Sequence, residues 1–247
     1  MRPDRSEAII LQSIPSRERD KLVVFLTPEK GKRRGWAYGA RGMRSRFGAS
    51  LEPLAKVDLV FLEKETEEAV RIESASMIRS AFPAQQELVR SLAATYIAES
   101  VDTFVQPDDP SELVYRLLDR SIEALLEGRP VEPIVAYVEI WILKLGGVFP
   151  SVRHCAICQR PLERPLRCDV RGGLVCAECA EPGMLMVSNA AADLLVALMT
   201  TPVDDFAAKK HAPDDLFELR ALARDLRRYV LGHELKSHDL LQANIRP

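Results

Sequence analysis

Apolar and polar positions follow a two-residue rhythm along the first 80 residues. Short apolar or alternating runs recur at residues 7–14 (EAIILQSI), 21–27 (KLVVFLT), 32–40 (KRRGWAYGA), 55–62 (AKVDLVFL) and 70–78 (VRIESASMI), separated by turn signals such as TPEKG, GARG and LEKETEEA. The run from Leu22 to Leu26 is too apolar to face water on either side. Five short strands in so little chain predict a small antiparallel barrel, closed or nearly so. A parallel sheet would need crossover helices, and the spacing leaves no room for them.

From about Pro83 the period lengthens to 3.6. Residues 87–104 repeat apolar positions at Leu88, Leu92, Tyr96 and Val101, and Pro107–Pro110 breaks the pattern. Residues 111–127 place Val114, Leu117, Leu118, Ile122 and Leu125 on one stripe. Residues 132–145 are apolar nearly all round (IVAYVEIWILKL) and predict the central helix of a bundle, stopped by Gly146-Gly147. Helical pattern resumes at 189–199, with Ser188 as its N-cap, and at 214–231, where Leu219, Leu222, Leu226 and Tyr229 share a face. Between these helical stretches, residues 151–181 contain every cysteine. No internal repeat or low-complexity tract stands out.

The chain is 247 residues long with no apolar run of 18, so no transmembrane helix is expected. The opening MRPDRSEAII lacks a hydrophobic signal core, which makes a cytoplasmic address the default. The formal net charge of -2 hides an asymmetry, because residues 1–80 hold 16 Lys/Arg against 12 Asp/Glu and the remainder 18 against 24. The positive excess concentrates in KGKRRGWAYGARGMRSRFG: Lys30, Lys32, Arg33, Arg34, Arg41, Arg44 and Arg46 occur there with no acid. Trp36, Tyr38 and Phe47 are interleaved with them. Cations beside aromatic rings on a barrel face suit single-stranded nucleic acid, charge for phosphate and rings for bases. Tyr38 and Phe47 are the candidate stacking rings, whereas Trp36 reads more readily as core. The Gly-rich part reads as a mobile loop able to follow a phosphate backbone. The competing reading has the rings inside the barrel and the arginines merely solvated.

The cysteines are spaced Cys155-A-I-Cys158 and Cys176-A-E-Cys179, with 17 residues between the pairs. Two such knuckles predict one tetrahedral zinc held by four thiolates, structural because no position is left open for water or substrate. Iron–sulfur is the metal alternative; a single redox pair fits poorly with two symmetric knuckles. Cys168 is left as a spare thiol, and His154 is not needed. Arg153, Arg160, Arg164, Arg167 and Arg171 surround the site, diluted by Glu163, Asp169, Glu178 and Glu181. No enzyme constellation is present: the sequence has no P-loop, GxGxxG or GxSxG. Its four histidines are scattered, and Asp204-Asp205 and Asp214-Asp215 look like helix starts. Catalytic residues are therefore none.

In order along the chain, AIILQSI, ERDKLVVFLTPEKGKRRGWAYGARGMRSRFGASLEPL, LVFLE and LGHELKSHDLL resemble the bacterial recombination mediator family RecO, over essentially the whole length. The resemblance implies an α+β chain: an N-terminal five-stranded OB-fold at residues 1–82, an all-helical domain at 83–150 and 184–247, and a zinc module inserted at 151–183. It implies a non-enzymatic protein that binds single- and double-stranded DNA and anneals strands. With RecR, and in some settings RecF, such a protein helps load RecA on DNA coated by single-strand-binding protein, with a cytoplasmic, nucleoid-associated address and no membrane partner. The family's basic OB surface carries over to Lys32, Arg33, Arg34, Arg41, Arg44 and Arg46. Its pocket for the acidic tail of single-strand-binding protein is placed near Arg90, Arg116 and Arg120. His238 and Asp239 stand where the family often has basic residues, which argues against DNA contact by the tail. The alternative reading is an RNA-binding or translation-associated OB-fold zinc protein.

Overall fold

A computed structural model describes residues 3–63, 68–162, 166–169 and 173–245. Glu163, Arg164 and Arg171, considered above beside the cysteines, lie outside the described residues. The chain divides into two compact units, Met1–Leu126 and Glu127–Pro247.

The first unit is a closed barrel with three helices. Strands β1 (Asp4–Ser16), β2 (Asp20–Thr27), β3 (Gly31–Ala37), β4 (Lys56–Leu62) and β5 (Val70–Arg79) pair in the order β1-β2-β3-β5-β4, and β1 returns to β4. This is the strand order of an OB-fold. One expectation is corrected: the barrel is not wholly antiparallel, because β3 meets β5 in parallel at Gly35–Val70 and Trp36–Arg71. No crossover helix is needed, since β4 lies between them in sequence and reverses the chain.

The alternation explains the packing. Ala8, Ile10, Val23, Phe25, Val57, Leu59, Phe61 and Ile72 fill the barrel, with Phe25 and Phe61 tilted at a centroid distance of 5.6 Å. Each of these side chains larger than Ala8 is worth roughly 1.5–3 kcal/mol of transfer free energy. The opposite-phase residues Ile9, Leu11, Val24 and Leu26 are buried as well, under α2 (Leu88–Phe104) and α3 (Glu112–Leu126), which pack on β1 and β2. That second covering explains why β2 is apolar on both faces. A short α1 (Phe82–Gln85) joins β5 to these helices.

In the second unit, α4 (Val131–Leu145) is buried continuously from Pro133 to Ile140 and packs on α6 (Val203–Ala208) and α7 (Pro213–Leu231). Ser188 caps α5 (Asn189–Thr200) by accepting the Ala191 N–H at 3.1 Å. α7 ends at Gly232, whose φ of 74° is the left-handed conformation that glycine adopts without strain. The expected apolar face of α7 is shorter than its period suggests. Arg228, Tyr229 and Val230 are all exposed, while Arg220 and Arg227 join Leu219, Leu222 and Leu226 on the buried side. α8 (His238–Ile245) follows. The cysteine region adds a three-stranded sheet, β7-β6-β8, from Leu166–Asp169 (β6), Gly173–Val175 (β7) and Leu185–Val187 (β8).

Candidate nucleic-acid interface and metal centre

The basic stretch is divided by the geometry of β3. At its start the cations are countered by acids brought from other elements. Lys30 Nζ lies 2.6 Å from Asp4 and 3.2 Å from Glu63. Lys32 Nζ is 3.1 Å from Asp102 of α2, and Arg33 pairs with Glu63 at 2.5 Å and Asp108 at 2.8 Å. The register accounts for the split. Lys32 pairs with Leu26, on the outer face where Asp102 of α2 reaches it, whereas Arg33 pairs with Phe25 and so shares its interior phase at the barrel mouth. Hydrogen bonding to Asp4 raises the Lys30 pKa, and the Arg33 bond, followed by that of Lys30, holds Glu63 below the ordinary carboxylate value. The absence of acids within the stretch therefore does not leave these three cations uncompensated.

Past Arg34 the picture reverses. Arg34, Arg41, Arg44 and Arg46 are exposed and carry no ion pair among the described residues. Residues 38–54 are not a loose loop. Successive turns are closed by Gly42 N–H to Gly39 O, Ser45 N–H to Gly42 O and Ser50 N–H to Phe47 O. Ala40, Phe47, Leu51 and Leu54 are buried anchors. The local spacing of those apolar residues outweighs the glycines. Phe47 belongs to the barrel core, with Arg46 stacked 5.0 Å from its ring centroid. Tyr38 is 43% exposed and carries Arg71 at 5.7 Å; Trp36 is half-buried beneath Arg17 at 5.9 Å.

Three arginines escaped the sequence reading. The β1–β2 hairpin tip bonds directly to this region: Arg41 N–H donates to Arg19 O at 2.9 Å, the Arg41 guanidinium to Arg17 O at 3.1 Å, and Gly39 N–H to Asp20 at 2.9 Å. Arg17 and Arg19 thus flank Arg41, and the β3–β5 pair brings Arg71 beside Trp36. The signal available was weak, an RER tripeptide whose glutamate masks its charge. Glu73 pairs with Arg71 at 2.8 Å.

The four cysteines converge. Cys155, Cys158, Cys176 and Cys179 place their Sγ atoms all within 4.8 Å of one another, with Cys158 and Cys176 3.8 Å apart. Tetrahedral zinc with Zn–S near 2.3 Å sets its sulfurs about 3.8 Å apart, so the donor set fits such an ion. Backbone bonds shape the knuckles: Gln159 turns at a φ of 60° and its N–H donates to Cys155 O, while Cys179 N–H donates to Cys176 O. Hydrogen bonding from the Cys158 backbone lowers the Cys155 thiol to about 6, whereas side-chain bonds with Cys158 and Cys176 push Cys179 up to about 12. A divalent cation would allow all four to ionise together. Arg160 bonds to Cys158 and pairs with Glu178 of the other knuckle. Cys168 sits apart on β6, buried, and burial pushes it up to about 12.

The three arginines considered for a protein tail lie in different settings. Arg90 pairs with Glu87 and donates to Leu125 O, and Arg120 pairs with Glu123. Arg116 has no ion pair among the described residues. It lines an open cleft of about 550 Å³ with Pro28, Glu29, Pro110, Glu112 and Tyr115.

Comparison with known proteins places these features in context. Residues 1–81 match the family model described as "Recombination protein O N terminal", and residues 85–239 match "Recombination protein O C terminal". The chain is similar to the DNA repair protein RecO of Koribacter versatilis, 33% identical over 231 residues covering 92% of this chain and 90% of that protein. It is also similar to that of an Anaeromyxobacter species, at 32% over 83% of this chain and 81% of that protein, and to that of Caldicellulosiruptor saccharolyticus, at 28% over 96% and 97%.

Proposed function

The chain belongs to the recombination protein O family of non-catalytic DNA repair mediators, and on that premise we propose that it binds single- and double-stranded DNA through the arginine rim of its barrel and anneals complementary strands. The observation that carries the reading is the one-sided distribution of charge on β3. Arg34, Arg41, Arg44 and Arg46 have no ion pair among the described residues and lie beside the exposed Tyr38, with Arg17 and Arg19 alongside, while every cation at the other end is compensated. Such a rim contacts phosphates and carries little base preference. Neutralising phosphates on two strands lowers their mutual repulsion, which is what annealing requires. Tyr38 is the ring available for stacking; Phe47 serves by fixing Arg46.

The wider role follows the family: acting with RecR, the protein promotes RecA loading on DNA coated by single-strand-binding protein. Arg116, with Pro28, Pro110 and Tyr115 around it, is the place for a tail contact. Glu29 and Glu112 in the same cleft would oppose an acidic one. Zinc held by Cys155, Cys158, Cys176 and Cys179 would cross-link the two knuckles and take no part in chemistry. No helix among the described residues is long and apolar enough to cross a membrane.

Fluorescence anisotropy of a labelled single-stranded oligonucleotide over a salt series tests the interface. An Arg41/Arg44/Arg46 triple alanine variant should lose affinity, and its log–log salt slope should fall by about 2, at roughly 0.7 per lost phosphate contact. Equal behaviour of variant and wild type would overturn the interface. Stronger binding of RNA than DNA, without annealing, would favour the translation-associated alternative.

A further inference from the structure

Gly31–Arg33 at the start of β3 lies under an acidic segment of the same unit, the end of α2 and the residues leading to α3. Pro107 bridges Lys32 in parallel register, and Asp108 N–H donates to Lys32 O at 3.1 Å. Gly31 leaves the space this requires, because a Cβ there would sit 1.9 Å from the Asp109 carbonyl oxygen. Asp108 takes a φ of 60° and sets its carboxylate 2.8 Å from Arg33 Nε, while Asp102 holds Lys32. Lys30, Lys32 and Arg33 thus meet four carboxylates, Asp4, Glu63, Asp102 and Asp108.

The two aspartates are held differently. Asp102 is largely buried and also accepts from Gln12 at 2.6 Å. Asp108 is 66% exposed, and Arg33 Nε makes no aligned hydrogen bond despite the short distance. The Arg33 side chain is only 11% exposed, so the pair opens to solvent on the Asp108 side, and a poorly directed contact with so exposed a carboxylate is readily exchanged. Arg34, the next residue, belongs to the free rim.

We infer that residues 102–109 form a phosphate-mimicking strap, in which Asp108 competes with DNA for Arg33 and so restrains the affinity of the interface. The inference rests on the DNA-binding reading above and extends it. When a phosphate replaces the Asp108 carboxylate, Arg33 at the barrel mouth adds one cation to those of the rim, and the strap lifts at its weakest point while Asp102 keeps Lys32 in place.

The test uses the full chain and the same anisotropy series. Asp108→Asn keeps a residue type that tolerates the left-handed φ. It should bind single-stranded DNA about threefold more tightly at low salt, with a slope steeper by about 0.7, one further phosphate contact. Asp109→Asn carries the same change in net charge without touching Arg33 and should stay near wild type. In the Arg33→Gln background, Asp108→Asn should give no gain. If Asp108→Asn matches Asp109→Asn while the Arg41/Arg44/Arg46 variant is impaired, the strap is wrong and the interface stands. If that triple variant binds as wild type does, the interface itself is wrong and the strap falls with it. Thermal melts of each variant separate loss of fold from loss of contact.

Discussion

Glu139 interrupts an otherwise apolar helix, and its surroundings explain why it is there. It is 2% exposed and faces two buried guanidiniums, Arg220 Nε at 3.1 Å and Arg227 at 3.6 Å; Arg227 continues to Glu234 at 2.6 Å. A buried pair is expensive to assemble and more expensive to break, because removal of one partner leaves an uncompensated charge. Glu139→Ala should therefore cost about 3–5 kcal/mol in urea unfolding. Replacing the whole network by apolar or neutral residues of similar volume, Glu139→Leu with Arg220→Met, Arg227→Met and Glu234→Gln, should recover most of that loss. A single alanine effect below 1 kcal/mol would show that water reaches the site. The sequence hid this network for a plain reason: Arg220 and Arg227 sit on the polar side of the apolar count, yet they lie on the face that α7 buries.

At the scale of elements, β3 and its neighbours combine backbone strain with charge. Gly31→Ala would put a side chain at a φ of 63° and into the Asp109 carbonyl. It should lower the unfolding free energy by at least the roughly 1–2 kcal/mol of the left-handed conformation, seen as a lower melting temperature, and should also loosen the strap and raise DNA affinity. The ion cluster beside it predicts a pH effect. Glu63 is held below its ordinary value by Arg33 and Lys30, so its contribution is present above the unfolded carboxylate pKa and is lost as pH falls through the folded one. The stability difference between wild type and Glu63→Gln, of order 0.5 kcal/mol for so exposed a group, should therefore persist at pH 7, begin to shrink near the ordinary Glu value of about 4.3 and vanish only below the lowered folded value. A difference that grows on acidification would contradict the assignment. Elements of this kind were legible where the period was long. The five strands and the helices α2, α3, α4, α5 and α7 stand where alternation and the 3.6 period place them. Helices α1, α6 and α8, with four, six and eight residues, are too short to establish a period. The strands of the cysteine region are shorter still. The convergence of the four cysteines could be read from spacing, because a knuckle is local. The compensation of Lys30, Lys32 and Arg33 could not, because their acids come from 26 to 75 positions away along the chain.

For the whole molecule, the metal centre and the arginine rim lie in different compact units, residues 127–247 and 1–126. The sheet beside the cysteines is built from strands of only three or four residues, and among the described residues the cluster around the thiolates has Cys155, Val175 and Cys176 as its buried members. A metal ion held by the four thiolates would cross-link the two knuckles of so small a module. Chelation, or Cys155→Ser with Cys176→Ser, should therefore abolish bound zinc measured by atomic absorption and expose residues 151–187 to limited proteolysis. The oligonucleotide salt slope should remain at its wild-type value, because the proposed interface takes its cations from Arg34, Arg41, Arg44 and Arg46 on the barrel side. A fall in that slope on metal removal, with the barrel still protected from protease, would mean that Arg153, Arg160 or Arg167 also meets phosphate. The interface would then extend beyond one unit. An unchanged slope with a melted cysteine region assigns the metal to architecture and the charge to the barrel alone.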